Sequence, residues 1–300
     1  MDILVFGAGS LGSLVGGLLA RTHHVTLLGR EPHIGAVRAD GLRIQGALSA
    51  AVSPDAVTTV TERSFDLAVV TVKAFDTDAA ATALGGVDLD AVLSLQNGLG
   101  NEERLAAAVD CPVLAGTCTY GARLAAPGRV ECTGVGEVAL GPRPGGSSPV
   151  ADEVGAAFGE AGIETAVATD MPRRLWEKLA VNAGINAVTA LARVANGALV
   201  AGPGGESSRA AAREVARVAR EQGVDLSEET VVAAVERVAD ATAANDSSML
   251  QDVRSGSPTE IDAINGAVVD RADAPVPVNE TLTALVRAWE RGQGLRSGGA

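Results

Sequence analysis

Aromatic side chains are nearly missing: tryptophan, tyrosine and phenylalanine together make up 2% of the 300 residues. A core must therefore be assembled from Ala, Val, Leu and Ile. The 47% hydrophobic content supplies enough of them for two domains or one large one. Cysteine is sparse too. Cys111, Cys118 and Cys132 are odd in number and show neither C-x-x-C nor metal-type spacing, so no metal site is expected and the three read as reduced thiols. No apolar run reaches the length of a membrane span, and the N-terminus enters a strand pattern without a basic leader. A cytoplasmic protein is expected. An excess of positive charge is also lacking. The net charge of −13 argues against nucleic acid and anionic membrane as partners. That acidity suits an ordinary cytosolic protein or one kept soluble in high salt.

The scarcest residue for its chemistry is lysine. Of 24 basic residues only Lys73 and Lys178 are lysines, and the other 22 are arginine. Arginine stays charged at any usable pH, whereas a lysine amine can be tuned by burial and can give up a proton. Either coding bias left two lysines by chance, or two places required an amine.

What is present falls into two patterns. Ile3–Phe6, Val25–Leu28, Leu67–Val72 and Val92–Leu95 are apolar or β-branched runs of strand length, separated by helix-length segments. Such alternation predicts a parallel sheet covered on both faces. Glycine and proline punctuate Gly141–Pro149, followed by a helix near Val150–Ala161 and a short apolar run near Ile163–Ala168. From Asp170, a candidate N-cap with Pro172 in the first turn, helices dominate. They are predicted to run towards Ala192, then over Gly205–Gln222, Glu228–Arg254, Pro258–Ala272 and Glu280–Arg291, with a frayed tail from Leu295. The fold class is α/β: an N-terminal doubly wound Rossmann domain over 1–168 and an all-helical domain over 169–300.

Gly7-Ala8-Gly9-Ser10-Leu11-Gly12 is G-x-G-x-x-G, placed after the first strand and opening a helix. Gly7 makes the tight turn, Gly9 admits a pyrophosphate close to the backbone, and Gly12 lets helix and strand pack closely. The helix N-terminus then offers N–H groups to the phosphates. The second strand ends in Gly29-Arg30, where an NAD-binding chain carries an acid for the ribose hydroxyls. Arg30 would clasp a 2′-phosphate, which favours NADPH, with NADH as the alternative because Glu31 lies beside it. A solvated arginine at a strand end is the plainer account of the same residue.

In the second half, Lys178, Asn182 and Asn186 are spaced four apart and form one polar stripe on an otherwise apolar helix. Such a stripe needs partners, because buried amides and amines without them are costly. It reads either as a hydrogen-bonded structural seam or as a ligand-facing surface. Asn245, Ser248 and Asp252 share a face of the helix expected over Glu228–Arg254. Ser248 would bond a substrate carboxylate, or simply bond back to the preceding turn. Ser257-Pro258-Thr259-Glu260 has the form of a capping box, which alone explains Glu260 without stopping it from facing a ligand.

Taken together, G-A-G-S-L-G at 7–12, T-V-K-A at 71–74, Q-N-G-L-G at 96–100, L-W-E-K-L-A-V-N-A-G-I-N at 175–186, S-S-M-L-Q-D at 247–252 and T-E-I-D-A-I-N-G at 259–266 resemble the ketopantoate reductase family over nearly the whole chain. The resemblance implies NADPH-dependent reduction of a small 2-keto acid, ketopantoate, to pantoate for coenzyme A synthesis. It implies Lys178 as the general acid, with Glu260 near the amine and the cofactor ribose. It places Lys73 in the active site, Ala122 against the cofactor, and Asn97 at both nicotinamide ribose and substrate. Asn182, Asn186, Asn196 and Ser248 become substrate-binding positions. Tyr120-Gly121, beside Ala122, stands where relatives vary. Two alternatives remain at this level: a reductase of another branched 2-keto acid, and a regulator that binds NADPH without turnover. Apolar helix faces make a homodimer compatible with the sequence.

Overall fold

The computed structural model describes residues 1–60 and 64–296. These divide into two compact units. The first holds Met1–Gln96 with Gly100–Met171, and the second Asn97–Leu99 with Pro172 onward.

In the first unit the strands are β1 (Asp2–Phe6), β2 (His24–Leu28), β3 (Leu42–Gly46), β4 (Ala50–Val52), β5 (Asp55–Val57), β6 (Ser64–Val70), β7 (Asp88–Ser94), β8 (Val113–Cys118), β9 (Gly121–Ala126), β10 (Arg129–Gly134), β11 (Val138–Pro142) and β12 (Thr165–Val167). The helices are α1 (Ser10–Leu19), α2 (His33–Asp40), α3 (Thr77–Leu84), α4 (Asn101–Ala106) and α5 (Pro149–Glu160). The large sheet runs β12-β11-β8-β7-β6-β1-β2-β5. Its six parallel strands β5-β2-β1-β6-β7-β8 follow the doubly wound order, so the chain reverses direction across the sheet at the β1/β6 junction. β11 joins antiparallel to β8, a departure from the all-parallel expectation.

A second sheet, β4-β3-β10-β9, was not expected from the sequence. It covers α1, whose residues from Gly12 to Leu19 are all buried. The reason is visible in two adjacent glycines: a Cβ on Gly16 would meet Leu27 and Val5 of the large sheet, and one on Gly17 would meet Leu42 and Ile44 of the small sheet. A helix sandwiched in this way has no polar face, which is why its ten residues contain nothing charged.

His33 ties these layers together. Gly128 N–H donates to its Nδ1 at 3.1 Å, so the proton sits on Nε2, which bonds Ser13 Oγ at 2.9 Å. Burial holds its pKa below the ordinary histidine value. The unfolded chain therefore binds the extra proton more readily than the folded one, and stability present above about pH 6.5 is lost as the pH falls towards the lowered native value. Melting temperature should drop on acidification through that range, and His33→Gln should flatten the drop. An unchanged pH profile in that variant would contradict the assignment.

The second unit contains α6 (Met171–Ala192, its first residue still in the first unit), α7 (Pro203–Glu221), α8 (Glu228–Ala241), α9 (Ser248–Ser255), a π turn (Asp262–Gly266), α10 (Ala267–Val269) and α11 (Pro277–Gly292). The helix expected over Glu228–Arg254 is two helices. Ser247 caps α9, its hydroxyl accepting Leu250 N–H at 3.1 Å, and so divides what periodicity joined. Asn245 consequently lies outside any helix and shares no helical face with Ser248. The helix expected from Pro258 does not form there either. The tail expected to fray from Leu295 is held at its first two residues, Leu295 N–H bonding Glu290 O at 2.9 Å and Arg296 pairing with Glu290; the rest of it, 297–300, lies outside the described residues. Among the described residues no helix is long and apolar enough to cross a membrane.

Candidate active site

The first unit brings the phosphate loop to the β1/β6 junction. Gly7 has φ +113°, and its missing side chain leaves room for Val72, whose backbone N would stand 2.8 Å from a Cβ. Gly12 is packed harder, with Gly7 O at 2.1 Å from where a Cβ would be. Thr71, directly after β6, donates its hydroxyl to Gly7 O at 2.8 Å and so fastens one strand end to the other. Ala8 N–H bonds Leu28 O at 2.7 Å, holding the loop to β2.

The same loop fits a dinucleotide. No side chain caps α1 and no acid lies in its first turn, so its N–H groups and positive dipole end are offered outward. A Cβ on Gly9 would meet nothing closer than 4.0 Å, leaving space above the backbone for a phosphate. Ser10 Oγ accepts Leu124 N–H at 3.1 Å, a bond that leaves its hydroxyl proton to donate elsewhere. Leu11 packs against the core below. That serine bond also sets β9 beside the start of α1, and β9 carries Ala122.

Arg30 follows β2 and is exposed; its guanidinium pairs with Asp76 at 3.1 Å. Glu31, the neighbour that counted against NADPH, is engaged elsewhere. Its carboxylate accepts Gly35 N–H at 2.9 Å and stands 3.9 Å from Arg38. Lys73 precedes a short 3-10 turn, Ala74–Asp76. The segment around it is braced by Gln96, which the sequence reading missed. Gln96 Nε2 donates to Val72 O at 3.1 Å and to Thr77 Oγ at 2.8 Å. Thr77 in turn donates to Ala74 O and Asn101 Oδ1. Glu102 lies buried next to this network, and burial raises its carboxyl pKa against the lowering effect of a hydrogen bond with Ser94.

In the second unit α6 carries Lys178 and Asn182 half-buried and Asn186 buried. Asn186 Nδ2 has no hydrogen-bond partner among the described residues. One turn on, Thr189 bonds Ser247 at 2.7 Å, anchoring the N-terminus of α9 to α6. Ser248 is the exposed first residue of α9, so no preceding helical turn exists for it to bond back to. The capping serine is its neighbour, Ser247. Asn196, buried at the start of a 3-10 turn, donates Nδ2 to Thr242 at 2.9 Å while its Oδ1 is without a partner among the described residues.

Glu260 is buried, and the capping box predicted for it is not formed. Thr259 Oγ, not Ser257, accepts Ile261 N–H, and Glu290 accepts both Thr259 N–H at 2.8 Å and its hydroxyl at 2.7 Å. Glu260 instead accepts Asn97 Nδ2 at 3.1 Å. Alongside, Leu99 N–H bonds Ala263 O of the π turn at 3.2 Å. Asn265, in the same turn, donates Nδ2 to Ala183 O of α6 and to Asn279 Oδ1. The segment carrying Glu260 is therefore tied to α6, whose Ala183 adjoins Asn182. π turns of this kind occur often at functional positions.

The family model "Ketopantoate reductase PanE/ApbA" matches residues 3–145, and its C-terminal counterpart matches 170–290. A 2-dehydropantoate 2-reductase of Halobacterium salinarum is 47% identical over 97% of this chain and 99% of that protein. One of Archaeoglobus fulgidus is 39% identical, over 97% and 98%. Among solved structures, a PanE/ApbA family ketopantoate reductase from Ralstonia eutropha superposes with a TM-score of 0.89 at 33% identity, covering 98% of this chain and 100% of that one. A D-mandelate dehydrogenase solved with NADH and anilino(oxo)acetate reaches a TM-score of 0.92 at 25% identity, covering 99% and 100%.

Proposed function

The chain belongs to the ketopantoate reductase family, and from that premise we propose how its residues reduce the C2 ketone of 2-dehydropantoate to the hydroxyl of pantoate. NADPH supplies the hydride when bound. The Gly7–Gly12 loop and the start of α1 hold its pyrophosphate, Arg30 its 2′-phosphate, and Ala122, Lys73, Asn97 and Glu260 the remainder. The first unit is thus read as the NADP-binding domain, expected over 1–168, and the second as the substrate domain, expected over 169–300, although residues 97–99 pack with the second.

Lys178 Nζ bonds the ketone oxygen and gives it a proton as negative charge develops there. Glu260 orients that amine, and its bond from Asn97 Nδ2 fixes which way the asparagine amide faces. Lys73 adds positive charge for the anionic ligands. Asn182, Asn186, Asn196 and Ser248 hold the substrate's carboxylate and hydroxyl, so the ketone is met in a reactive pose.

One observation carries this reading. Asn186 Nδ2 is a buried donor without a partner among the described residues, on the same helix stripe as Lys178. A purely structural seam would pair it, since leaving a buried donor unsatisfied costs about 1–3 kcal/mol. A substrate oxygen there supplies the acceptor. Cytoplasmic location fits a biosynthetic reductase. Exposed Leu191, Val200 and Leu285 on the second unit support a homodimer.

The test is NADPH oxidation with ketopantoate, across salt from low to molar. Turnover is expected, with NADPH preferred over NADH in kcat/KM and the preference lost in Arg30→Ala. No turnover at any salt would return the non-catalytic alternative, and an unchanged ratio in Arg30→Ala would remove the 2′-phosphate assignment. The likeness to D-mandelate dehydrogenase favours a second reading, reduction of another 2-keto acid. Comparing kcat/KM for ketopantoate with other branched keto acids separates the two.

A further inference from the structure

An NAD-type doubly wound domain carries its ribose-binding acid at the end of the second strand, where this chain has Arg30. An acid is nevertheless present at that point in space. Asp76 belongs to the segment after β6, and its Oδ2 lies 3.1 Å from the Arg30 guanidinium. Its position explains the contact only in part. Asp76 occupies the N-cap of α3, where an aspartate ordinarily turns its carboxylate back on the helix's own N–H groups. Here it makes no such capping bond. Glu31, the nearer acid in sequence, is turned to Gly35 and Arg38.

We propose that Asp76 is a cofactor-specificity residue: it restores at Arg30 the acid that the second strand lacks, and so holds down the preference for NADPH over NADH. The inference rests on the reading above, in which Arg30 meets the adenosine ribose. With NADH, the carboxylate accepts a ribose hydroxyl and Arg30 stays paired. With NADPH, the 2′-phosphate takes Arg30 but comes to lie beside a like charge. A unit charge pair at 4 Å is worth about a factor of five in bulk water, and the phosphate carries nearly two charges. Salt screening brings the combined effect down to about tenfold. Exposed Phe75 immediately before Asp76 leaves this edge open to a ligand.

The experiment is Asp76→Asn and Arg30→Ala, each compared with wild type in two ways. The first is kcat/KM with NADPH and with NADH. The second is the dissociation constant of adenosine 2′-monophosphate by titration calorimetry. Asp76→Asn should raise the NADPH-to-NADH ratio about tenfold at moderate salt and tighten adenosine 2′-monophosphate by a similar factor, with both effects growing as salt is lowered and shrinking as it rises. A ratio and a dissociation constant that stay put, or move the other way, overturn the proposal. Arg30→Ala keeps the two failures apart. If it collapses the ratio while Asp76→Asn does nothing, the Arg30 assignment stands and Asp76 is uninvolved. If Arg30→Ala does nothing, the assignment beneath the proposal has failed and the proposal with it.

Discussion

Replacing Lys178 by alanine is expected to lower kcat by about two orders of magnitude or more while leaving the dissociation constant for NADPH within about twofold of wild type. The argument is one of charge. When hydride reaches the ketone carbon, a full negative charge appears on the oxygen, and only a donor aimed there can stabilise it before the proton is transferred. Lys178 and Lys73 are the chain's two lysines, and Lys178 alone lies on the stripe with Asn182 and Asn186. Lys178→Met keeps the aliphatic stem and should fail as badly as alanine, which separates loss of the proton from loss of packing. Lys178→Arg keeps the charge but not a transferable proton, and should recover little. An alanine variant that retains a tenth of wild-type kcat would sink the assignment. Single-turnover measurement is preferable to steady state, because slow product release would mask a fall in the chemical step.

The sequence carried unequal amounts of this. The phosphate loop was legible because each glycine answers a local demand, and the structure meets all three demands at Gly7, Gly9 and Gly12. The Lys178–Asn182–Asn186 stripe was legible because 3.6-residue periodicity survives in a single long helix. The second sheet was not. β3 and β10 do alternate in burial, but their strands are short and come from distant parts of the chain, so local pattern could not pair them. Ser257-Pro258-Thr259-Glu260 misled for the opposite reason. Its local signature is good, yet Glu290 from α11 takes Thr259 N–H and hydroxyl, and the helix start gives way to a π turn. Tertiary bonds overrode a cap worth about 1 kcal/mol. The same limit hid Gln96, Thr189 and Asn265, whose bonds described above reach partners 14 to 82 residues away.

Gly98→Ala is expected to cut kcat/KM by about a hundredfold without touching any group that reacts. Gly98 has φ +86°, which costs other residues about 1–2 kcal/mol, and a Cβ there would stand 2.3 Å from Ala263 O. That overlap with backbone has no flexible side chain to absorb it. Either residues 97–99 or the π turn must move, and the move stretches the 3.2 Å bond from Leu99 N–H to Ala263 O. The 3.1 Å bond from Asn97 to Glu260 lies on the same short segment and goes with it. Loss of stability alone would also lower activity, so the decisive measurement is a double-mutant cycle. Asn97→Ala removes the amide that Gly98 positions. If Gly98 acts through Asn97, adding Gly98→Ala to Asn97→Ala costs little further kcat. Losses that simply multiply would mean that the two residues act independently, and the role assigned to Gly98 would fall.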